Sequence, residues 1–295
     1  MTQMPRRTIE ELVNLYALEP TLRDIFVEGQ FDAKLIRWFL YDRSLSNAVV
    51  YEIDTVEVDG SLLDDFGLTS GNKQRIIALL EAVNRSLPAQ RQARGLVDAD
   101  TDRLLEKPIV TESIFVSDYA SLGAYFLKPT IVKKWLLLAV GLGPDLYDQW
   151  CLSIGSVCSN LFLIRAAANL MGGSVGWMSI DAGFSNERPA PRDLSDFQYH
   201  QFVTKLLNKY AQLSRAAEFH ALIEELRTKM DPDARNSMND HDFFALLVIY
   251  VKRNTGQKWL HSEQAVCASL LQAVTRDDLS NEHLFQDIYD WACTA

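Results

Sequence analysis

The sequence lacks the spacings that mark the common zinc and nucleotide enzymes. Its 295 residues include four cysteines without any C-x-x-C pair, so neither a disulfide framework nor a zinc site is indicated. The H-x-x-x-H and H-E-x-x-H spacings of zinc hydrolases are missing, and the glycine pairs lack the lysine of a P-loop. We therefore expect four buried thiols, no zinc chemistry and no nucleotide hydrolysis by this chain itself.

Long apolar runs and a positive net charge are also missing. The best apolar stretch, Trp135 to Leu142, falls well short of the ~18 residues of a membrane span. The polar start, Met1 to Arg7, does not resemble a secretory signal, so we expect a cytoplasmic protein that does not bind membranes. A formal net charge of −10 disfavours indiscriminate polyanion binding, so a nucleic-acid substrate would need a local basic patch.

Six basic residues are candidates for that patch, although a solvated charged face explains each of them singly just as well. They are Arg91, Arg94, Arg103, Lys128, Lys133 and Lys134.

The first 130 residues alternate strand-like and helix-like patterns. Strands are predicted at Thr21 to Val27, Ala48 to Val58, Gly95 to Val97 and Ile114 to Ser117, with helices at Phe31 to Tyr41, around Ile76 to Val83 and after Ser117 through Tyr125. Strands that alternate with helices of this length pair in parallel, because each crossover helix returns the chain to the same end of the sheet. We predict a small α/β domain over residues 1–130.

From about Pro129 the apolar residues follow helical spacing, which predicts an all-α region over residues 131–295. Helices are predicted at Leu146 to Met171, Phe197 to Leu213, Ala216 to Met230, His241 to Arg253, Ser262 to Val274 and Asn281 to Ala292. The segment Gly172 to Arg192, rich in glycine and proline, is predicted to be a loop.

Two acidic motifs follow predicted strands. Glu28 and Asp32 lie in V-E-G-Q-F-D, and Asp98 and Asp100 lie in V-D-A-D-T-D. Ligands gather at the carboxyl ends of strands in open α/β sheets, and residues two apart on an extended backbone point the same way. Either motif alone is more often an ordinary turn or helix cap. Their joint occurrence after two apolar strands favours a site.

Carboxylates crowded together repel one another unless a cation lies between them. Mg²⁺, or Mn²⁺ in its place, prefers such hard oxygen ligands and keeps waters that phosphate oxygens can replace. The predicted site therefore suits phosphodiester chemistry.

These motifs resemble the TOPRIM domain of primases, topoisomerases and overcoming-lysogenization-defect nucleases. The segments V-E-G-Q-F-D, G-L-V-D-A-D-T-D and I-F-V-S-D-Y more specifically resemble the TOPRIM effector nucleases of PARIS-type anti-phage defence systems. The resemblance covers residues 22 to 127 by motif and the helical half only in general character. It implies a TOPRIM-like fold followed by helices.

By resemblance, Glu28 is the general acid/base or a metal-bridging carboxylate, and Asp98 and Asp100 are the principal metal ligands. Asp32 would support the metal, and Asp118 matches the acid after the fourth strand. The family commonly follows that acid with a helix-borne glutamate. This chain has Gly123 where that glutamate is expected, so one metal is a safer prediction than two, and Glu112 and Asp102 are possible substitutes.

The resemblance also implies a function, namely a toxic effector in phage defence that cleaves RNA, with transfer RNA favoured. It implies an ABC-type ATPase partner that restrains the nuclease, and we expect a homodimer. Two alternatives remain open: a DNA nuclease or nickase using the same acids, and a non-catalytic interaction protein on a TOPRIM scaffold.

A histidine in the helical half is a further candidate for the catalytic site. His241 lies in N-D-H-D before an apolar helix and resembles a histidine-aspartate element of the same family. Ordinary helix capping by Asn239 or Asp240, with His241 in the first turn, explains the pattern better.

Overall fold

A computed structural model describes residues 6–41, 48–88, 90–109, 111–185 and 192–293 of the chain. The chain forms two compact units, and each unit consists of segments that are separated in sequence. Unit 1 comprises residues 1–98, 109–118 and 279–295, and unit 2 comprises residues 99–108 and 119–278. The predicted ranges 1–130 and 131–295 are continuous, whereas unit 1 also includes the last helix and unit 2 also includes residues 99–108 and 119–130.

Unit 1 is built on a four-stranded parallel sheet, which confirms the predicted α/β class. The strands are β1 (Arg23–Val27), β2 (Ala48–Glu52), β3 (Ala93–Val97) and β4 (Ile114–Val116), in the order β2-β1-β3-β4. In register, Val27 of β1 lies opposite Glu52 of β2 and Leu96 of β3. The carboxyl ends of β1 and β3 are therefore neighbours at one edge of the sheet.

Helices cover both faces of this sheet, as parallel strands require. The helices of unit 1 are α1 (Ile9–Leu18), α2 (Gln30–Leu40), α3 (Gly60–Asp65), α4 (Asn72–Ser86) and α12 (His283–Cys293). One core cluster joins Leu12 and Tyr16 of α1 to Leu80 of α4 and Phe26 of β1. On the other side, Phe39 of α2 meets Phe285 of α12 with their ring centroids 4.8 Å apart.

The second predicted strand is wrong in length. It was expected to run to Val58, but β2 ends at Glu52 and a 3-10 turn follows over Ile53–Thr55. Ile53 and Val56 are nonetheless fully buried, because the turn carries them into the core beneath α4. The strand-like sequence pattern after Glu52 therefore reflects the burial of these residues and not a β-strand.

Unit 2 is mostly helical, as predicted. Its helices are α5 (Pro129–Trp135), α6 (Tyr147–Leu170), α7 (Tyr199–Lys209), α8 (Ala216–Thr228), α9 (Asp240–Asn254) and α10 (Glu263–Ala273), and the unit ends within α11 (Arg276–Ser280). The helix expected to end at Tyr125 is instead a 3-10 segment, Leu122–Leu127. Of the predicted loop Gly172 to Arg192, the described part holds one 3-10 turn at Ile180–Gly183, and residues 186–191 lie outside the described residues.

The central helix of unit 2 is apolar on most sides. The helical stretch Pro144–Leu170 is long and apolar enough to cross a membrane by length and composition, and 56% of its most apolar window is buried inside the protein. A buried core helix has the same composition. Cys158 of this helix is fully buried, but Cys293 is exposed and the other two cysteines are half-buried. The expectation of four buried thiols is therefore wrong for three of them.

Candidate functional site

Two of the predicted acids meet at the carboxyl edge of the sheet in unit 1. Glu28 follows β1 and Asp98 follows the adjacent strand β3. The Glu28 carboxylate accepts a hydrogen bond from the backbone N–H of Asp98, with Oε1 and N 3.1 Å apart. Two acidic residues 70 positions apart in sequence are thus joined at neighbouring strand ends. Both side chains are half-buried.

Two side chains at the N-terminus of α4 donate hydrogen bonds to the residues that follow β1 and β3. The Asn72 amide nitrogen donates a hydrogen bond to the Glu28 carbonyl oxygen at 2.7 Å, and the Lys73 ammonium donates one to the Asp98 carbonyl oxygen at 2.6 Å. Only 9% of Lys73 is exposed. A positive charge in the first turn of a helix opposes the helix dipole, so its placement here needs another reason. The acidic strand ends provide one.

Asp32 stabilises the turn that carries Glu28. Its Oδ2 accepts a hydrogen bond from the Gly29 backbone N–H at 2.9 Å, which closes a capping interaction at the start of α2. This contact satisfies a backbone donor that a helix N-terminus leaves unpaired. Asp32 therefore has a defined structural role beside Glu28, and its predicted support of a metal stays a prediction.

Asp118 is joined to the last helix of the chain. Its Oδ2 accepts a hydrogen bond from the backbone N–H of Leu284, in the first turn of α12, at 3.0 Å. A carboxylate at this position also interacts favourably with the helix dipole. The structure thus gives Asp118 a capping role that the sequence did not indicate.

Asp100 belongs to unit 2 and lies in a turn. The predicted convergence of Asp98 and Asp100 assumed an extended backbone, but β3 ends at Val97 and Asp100 has a φ of +48°. The alternation rule for strands does not apply to this left-handed conformation, so that part of the reasoning is wrong. The Asp100 backbone N–H donates a hydrogen bond to the Ala120 carbonyl oxygen at 2.7 Å, which fixes the turn.

Asp240 occupies the space beside Gly123. Its Oδ1 accepts a hydrogen bond from the Gly123 backbone N–H at 2.7 Å. Burial raises the pKa of Asp240 to about 6, and the negative charge of Asp100 adds to the rise, while hydrogen bonds from Ser121 and Gly123 act in the opposite direction. Unit 2 therefore brings a second carboxylate close to Asp100.

His241 lines a cavity of about 510 Å³ within unit 2. Its place in the first turn of α9 follows from capping, because the Asn239 side chain accepts a hydrogen bond from the His241 N–H at 3.2 Å. In the same cavity wall, the Arg165 guanidinium is bonded to both carboxylate oxygens of Asp242 at 2.6 and 2.7 Å. It also stacks on Trp177, 3.8 Å from the ring centroid. The capping interpretation is confirmed, and a catalytic role for His241 stays a prediction.

The predicted basic patch includes residues with structural contacts. In unit 1, Arg94 lies 5.1 Å from the ring centroid of Phe115 and 5.9 Å from that of Trp291. In unit 2, the Lys128 ammonium is hydrogen-bonded to the Asp278 carbonyl. Arg94 and Lys128 thus stabilise the fold, whatever else they bind.

Across the described residues, no group of three or more His, Cys, Asp or Glu side chains is arranged to hold a metal ion. Mg²⁺ is commonly held by only one or two protein carboxylates, with waters and substrate phosphates completing its coordination. Glu28 and Asp98, which are joined through the Asp98 backbone N–H, are the candidate pair for such a site. No protein-family model matches the sequence, and a comparison with curated proteins gives no match either.

Sequence reasoning missed two residues that shape this edge, Asn72 and Lys73. Both lie in S-G-N-K, a segment to which the sequence patterns assign no functional role. A lysine in the first turn of a helix, where acids are favoured, was the available signal. Asp240 was considered only as a cap, and its approach to Gly123 spans 117 residues, a separation that no local pattern shows.

Proposed function

We propose that this protein is a nuclease that depends on Mg²⁺ or Mn²⁺, with Glu28 and Asp98 at its centre. The observation that carries the proposal is the hydrogen bond from the Asp98 amide to the Glu28 carboxylate at the ends of adjacent parallel strands. The family resemblance supports Asp100, two residues further along the chain, as a further metal ligand.

The donor set suits a hard divalent cation, because it consists of carboxylate oxygens. Bound there, such an ion would offset charge on a phosphodiester and lower the pKa of a bound water. The protein's own contribution is to hold Glu28 in place. The Asp98 amide fixes its carboxylate, and the Asn72 side chain fixes its backbone carbonyl.

RNA, and transfer RNA in particular, is the substrate that the family resemblance supports. The same resemblance supports a toxic effector of phage defence, active as a homodimer and restrained by an ABC-type ATPase. The net charge of −10 fits a nuclease of narrow substrate range, because a strongly acidic protein binds phosphate backbones poorly outside a local basic surface. An adjacent ATPase gene whose product binds this chain and lowers its toxicity would support the restrained form.

The experiment is a cleavage assay of the full-length protein on transfer RNA, unstructured RNA, and single- and double-stranded DNA, with Mg²⁺ or Mn²⁺. Glu28→Gln keeps an oxygen that can accept the Asp98 hydrogen bond, and Asp98→Asn leaves the backbone contacts intact. We expect Glu28→Gln to lower cleavage by about 100-fold or more, the usual contribution of a general acid/base, and Asp98→Asn to lower it through loss of a metal ligand. Glu10→Gln, on the exposed side of α1, is the matched control. Equal cleavage by the wild type and both site variants would refute the proposal, and cleavage of DNA alone would favour the DNA nuclease.

A non-catalytic interaction protein is the second candidate. It is favoured by the structural use of two predicted ligands, since Asp32 caps α2 and Asp118 caps α12. Titration calorimetry with Mn²⁺ separates the candidates. A nuclease should show a binding heat that Asp98→Asn abolishes, whereas a protein that has lost its metal site should show no such heat.

A further inference from the structure

We propose that Asp240 is a positioning residue for Asp100 and that it acts through the segment Ala120–Gly123. The inference deepens the proposed function and rests on it, because Asp100 is one of the proposed metal ligands. Every contact that supports it lies within unit 2.

The first step is the exclusion of a side chain at residue 123. A Cβ atom added to Gly123 would lie 2.4 Å from Oδ1 of Asp240 and 3.1 Å from its Cγ. Separations below 3.0 Å are not tolerated, so any larger residue would displace the carboxylate. Glycine at this position and aspartate at 240 are therefore sterically matched. The Asp240 carboxylate occupies the space that a side chain at residue 123 would fill.

The second step links Asp240 to the Ser121–Gly123 segment. The Asp240 Oδ1 accepts the Gly123 N–H, and Ser121 also hydrogen-bonds the Asp240 side chain. The Ser121 hydroxyl further donates to the Met238 carbonyl oxygen at 2.9 Å, and Ser121 is fully buried. The start of the 3-10 segment is thus fixed to the N-terminal end of α9 at two points.

The third step carries this constraint to Asp100. Ala120, next to Ser121, accepts the Asp100 N–H through its carbonyl oxygen at 2.7 Å and donates its own N–H to the Arg235 carbonyl oxygen at 3.1 Å. Asp100 is held in a left-handed conformation, which non-glycine residues adopt at an energetic cost. Such a conformation persists only when surrounding contacts impose it. The hydrogen bond to Ala120 is one such contact, and Ala120 is itself held by Arg235 and adjoins Ser121, which is bonded to Asp240.

The test uses three variants of the full-length protein. Asp240→Ala removes the acceptor, Gly123→Ala pushes the carboxylate away while keeping it, and Asp240→Asn keeps an oxygen in the Oδ1 position. Gly256→Ala is the control, because a Cβ there has no atom within 4 Å. The measurements are the dissociation constant for Mn²⁺, kcat at saturating Mn²⁺, and hydrogen exchange of the Asp100 amide.

We expect Asp240→Ala and Gly123→Ala to weaken Mn²⁺ binding by 10- to 100-fold, as loss of an outer-shell contact typically does. Exchange of the Asp100 amide should rise in both, and Asp240→Asn should stay within a few-fold of the wild type. Unchanged Mn²⁺ affinity in Asp240→Ala overturns the proposal. Equal loss in Asp240→Asn and Asp240→Ala also overturns it, since the negative charge rather than the acceptor would then be required.

Failure of the proposed function gives a different result. In that case the wild type would bind no Mn²⁺, and only hydrogen exchange of the Asp100 amide would test whether Asp240 positions Asp100. Faster exchange in Asp240→Ala, with the control unchanged, would then uphold positioning without a metal, whereas unchanged exchange would overturn it. If Asp240→Ala fails to fold, Gly123→Ala and Asp240→Asn give the same comparison.

Discussion

The ammonium of Lys73 donates a hydrogen bond to the backbone carbonyl of Asp98 at 2.6 Å, from the first turn of α4. We expect Lys73→Met to lower the free energy of unfolding by about 1.5–3 kcal/mol, the usual range for a lost hydrogen bond to a charged group. If the proposed function holds, the same variant should also weaken Mn²⁺ binding, because the backbone of Asp98 loses a fixed point. Urea unfolding and titration calorimetry measure the two effects.

Lys34→Met is the matched control for Lys73→Met. The Lys34 ammonium is exposed on α2 and donates a hydrogen bond to the side-chain oxygen of Gln30 at 3.1 Å. The control should change the unfolding free energy by less than about 0.5 kcal/mol, as is usual for surface substitutions. Equal effects of the two substitutions would contradict a special role for Lys73.

Asp118 gives a second prediction, because it caps α12 through the Leu284 N–H. Loss of a helix cap costs about 0.5–2 kcal/mol, so Asp118→Ala should destabilise unit 1 by that amount. Asp118→Asn keeps an acceptor oxygen and should retain most of the stability. Thermal unfolding of both variants tests this. If Asp118→Asn lost this stability while Asp118→Ala kept the wild-type melting temperature, the order of the two variants would be the reverse of the expected one. That result would exclude the capping role.

Gly95 allows α4 to approach the sheet closely. A Cβ at this position would lie 2.4 Å from Cγ2 of Ile76 and 2.8 Å from Cδ1 of Leu80, both fully buried in the core. Overpacking of this kind costs about 1–3 kcal/mol, so Gly95→Ala should lower the unfolding free energy accordingly. Gly256→Ala, which meets no neighbour, should not. Denaturant midpoints of the two variants should therefore differ, and coinciding midpoints would refute the packing argument.

Sequence patterns predicted the sheet of unit 1 well because each parallel strand is a short apolar run followed by a polar turn. β1 and β3 end where the acids begin, as predicted, but their adjacency, which brings Glu28 to Asp98, is seen only in the structure. The β-branched residues after β2 led to a strand prediction that was too long, because a buried 3-10 turn needs the same apolar residues as a strand.

Such sequence patterns do not predict contacts between residues that are far apart in sequence. Asp118 bonds to Leu284 across 166 residues, and Asp240 bonds to Gly123 across 117. Each acid was interpreted from its neighbours in sequence, which determine capping and turn propensity but not the partner that folding brings. The amphipathic spacing of α12 predicted a helix correctly without indicating the unit to which it belongs.

Asp24 is a buried carboxyl group in β1 to which the sequence pattern assigned no role. Only 2% of it is exposed, and its Oδ2 accepts a hydrogen bond from the Tyr16 hydroxyl at 3.0 Å. Burial raises the pKa of Asp24 from 3.8 to about 6, although the bond from Tyr16 and the charge of Arg7 act in the opposite direction. The folded state therefore binds this proton more tightly than the unfolded state does.

A raised pKa in the folded state makes stability fall as pH rises, because the unfolded state binds fewer protons in that range. The contribution of protonated Asp24 is complete below about pH 4 and is lost as pH rises through about 6. Asp24→Asn keeps an acceptor for Tyr16 and cannot ionise. Relative to this variant, the wild type should lose about 2.4 kcal/mol of unfolding free energy between pH 4 and pH 7, at about 1.4 kcal/mol per pKa unit. Urea unfolding across that range measures the difference, with exposed Asp65→Asn as the control for one lost charge. A difference that stays constant with pH, or one that grows in favour of the wild type, would show that burial does not raise the pKa of Asp24.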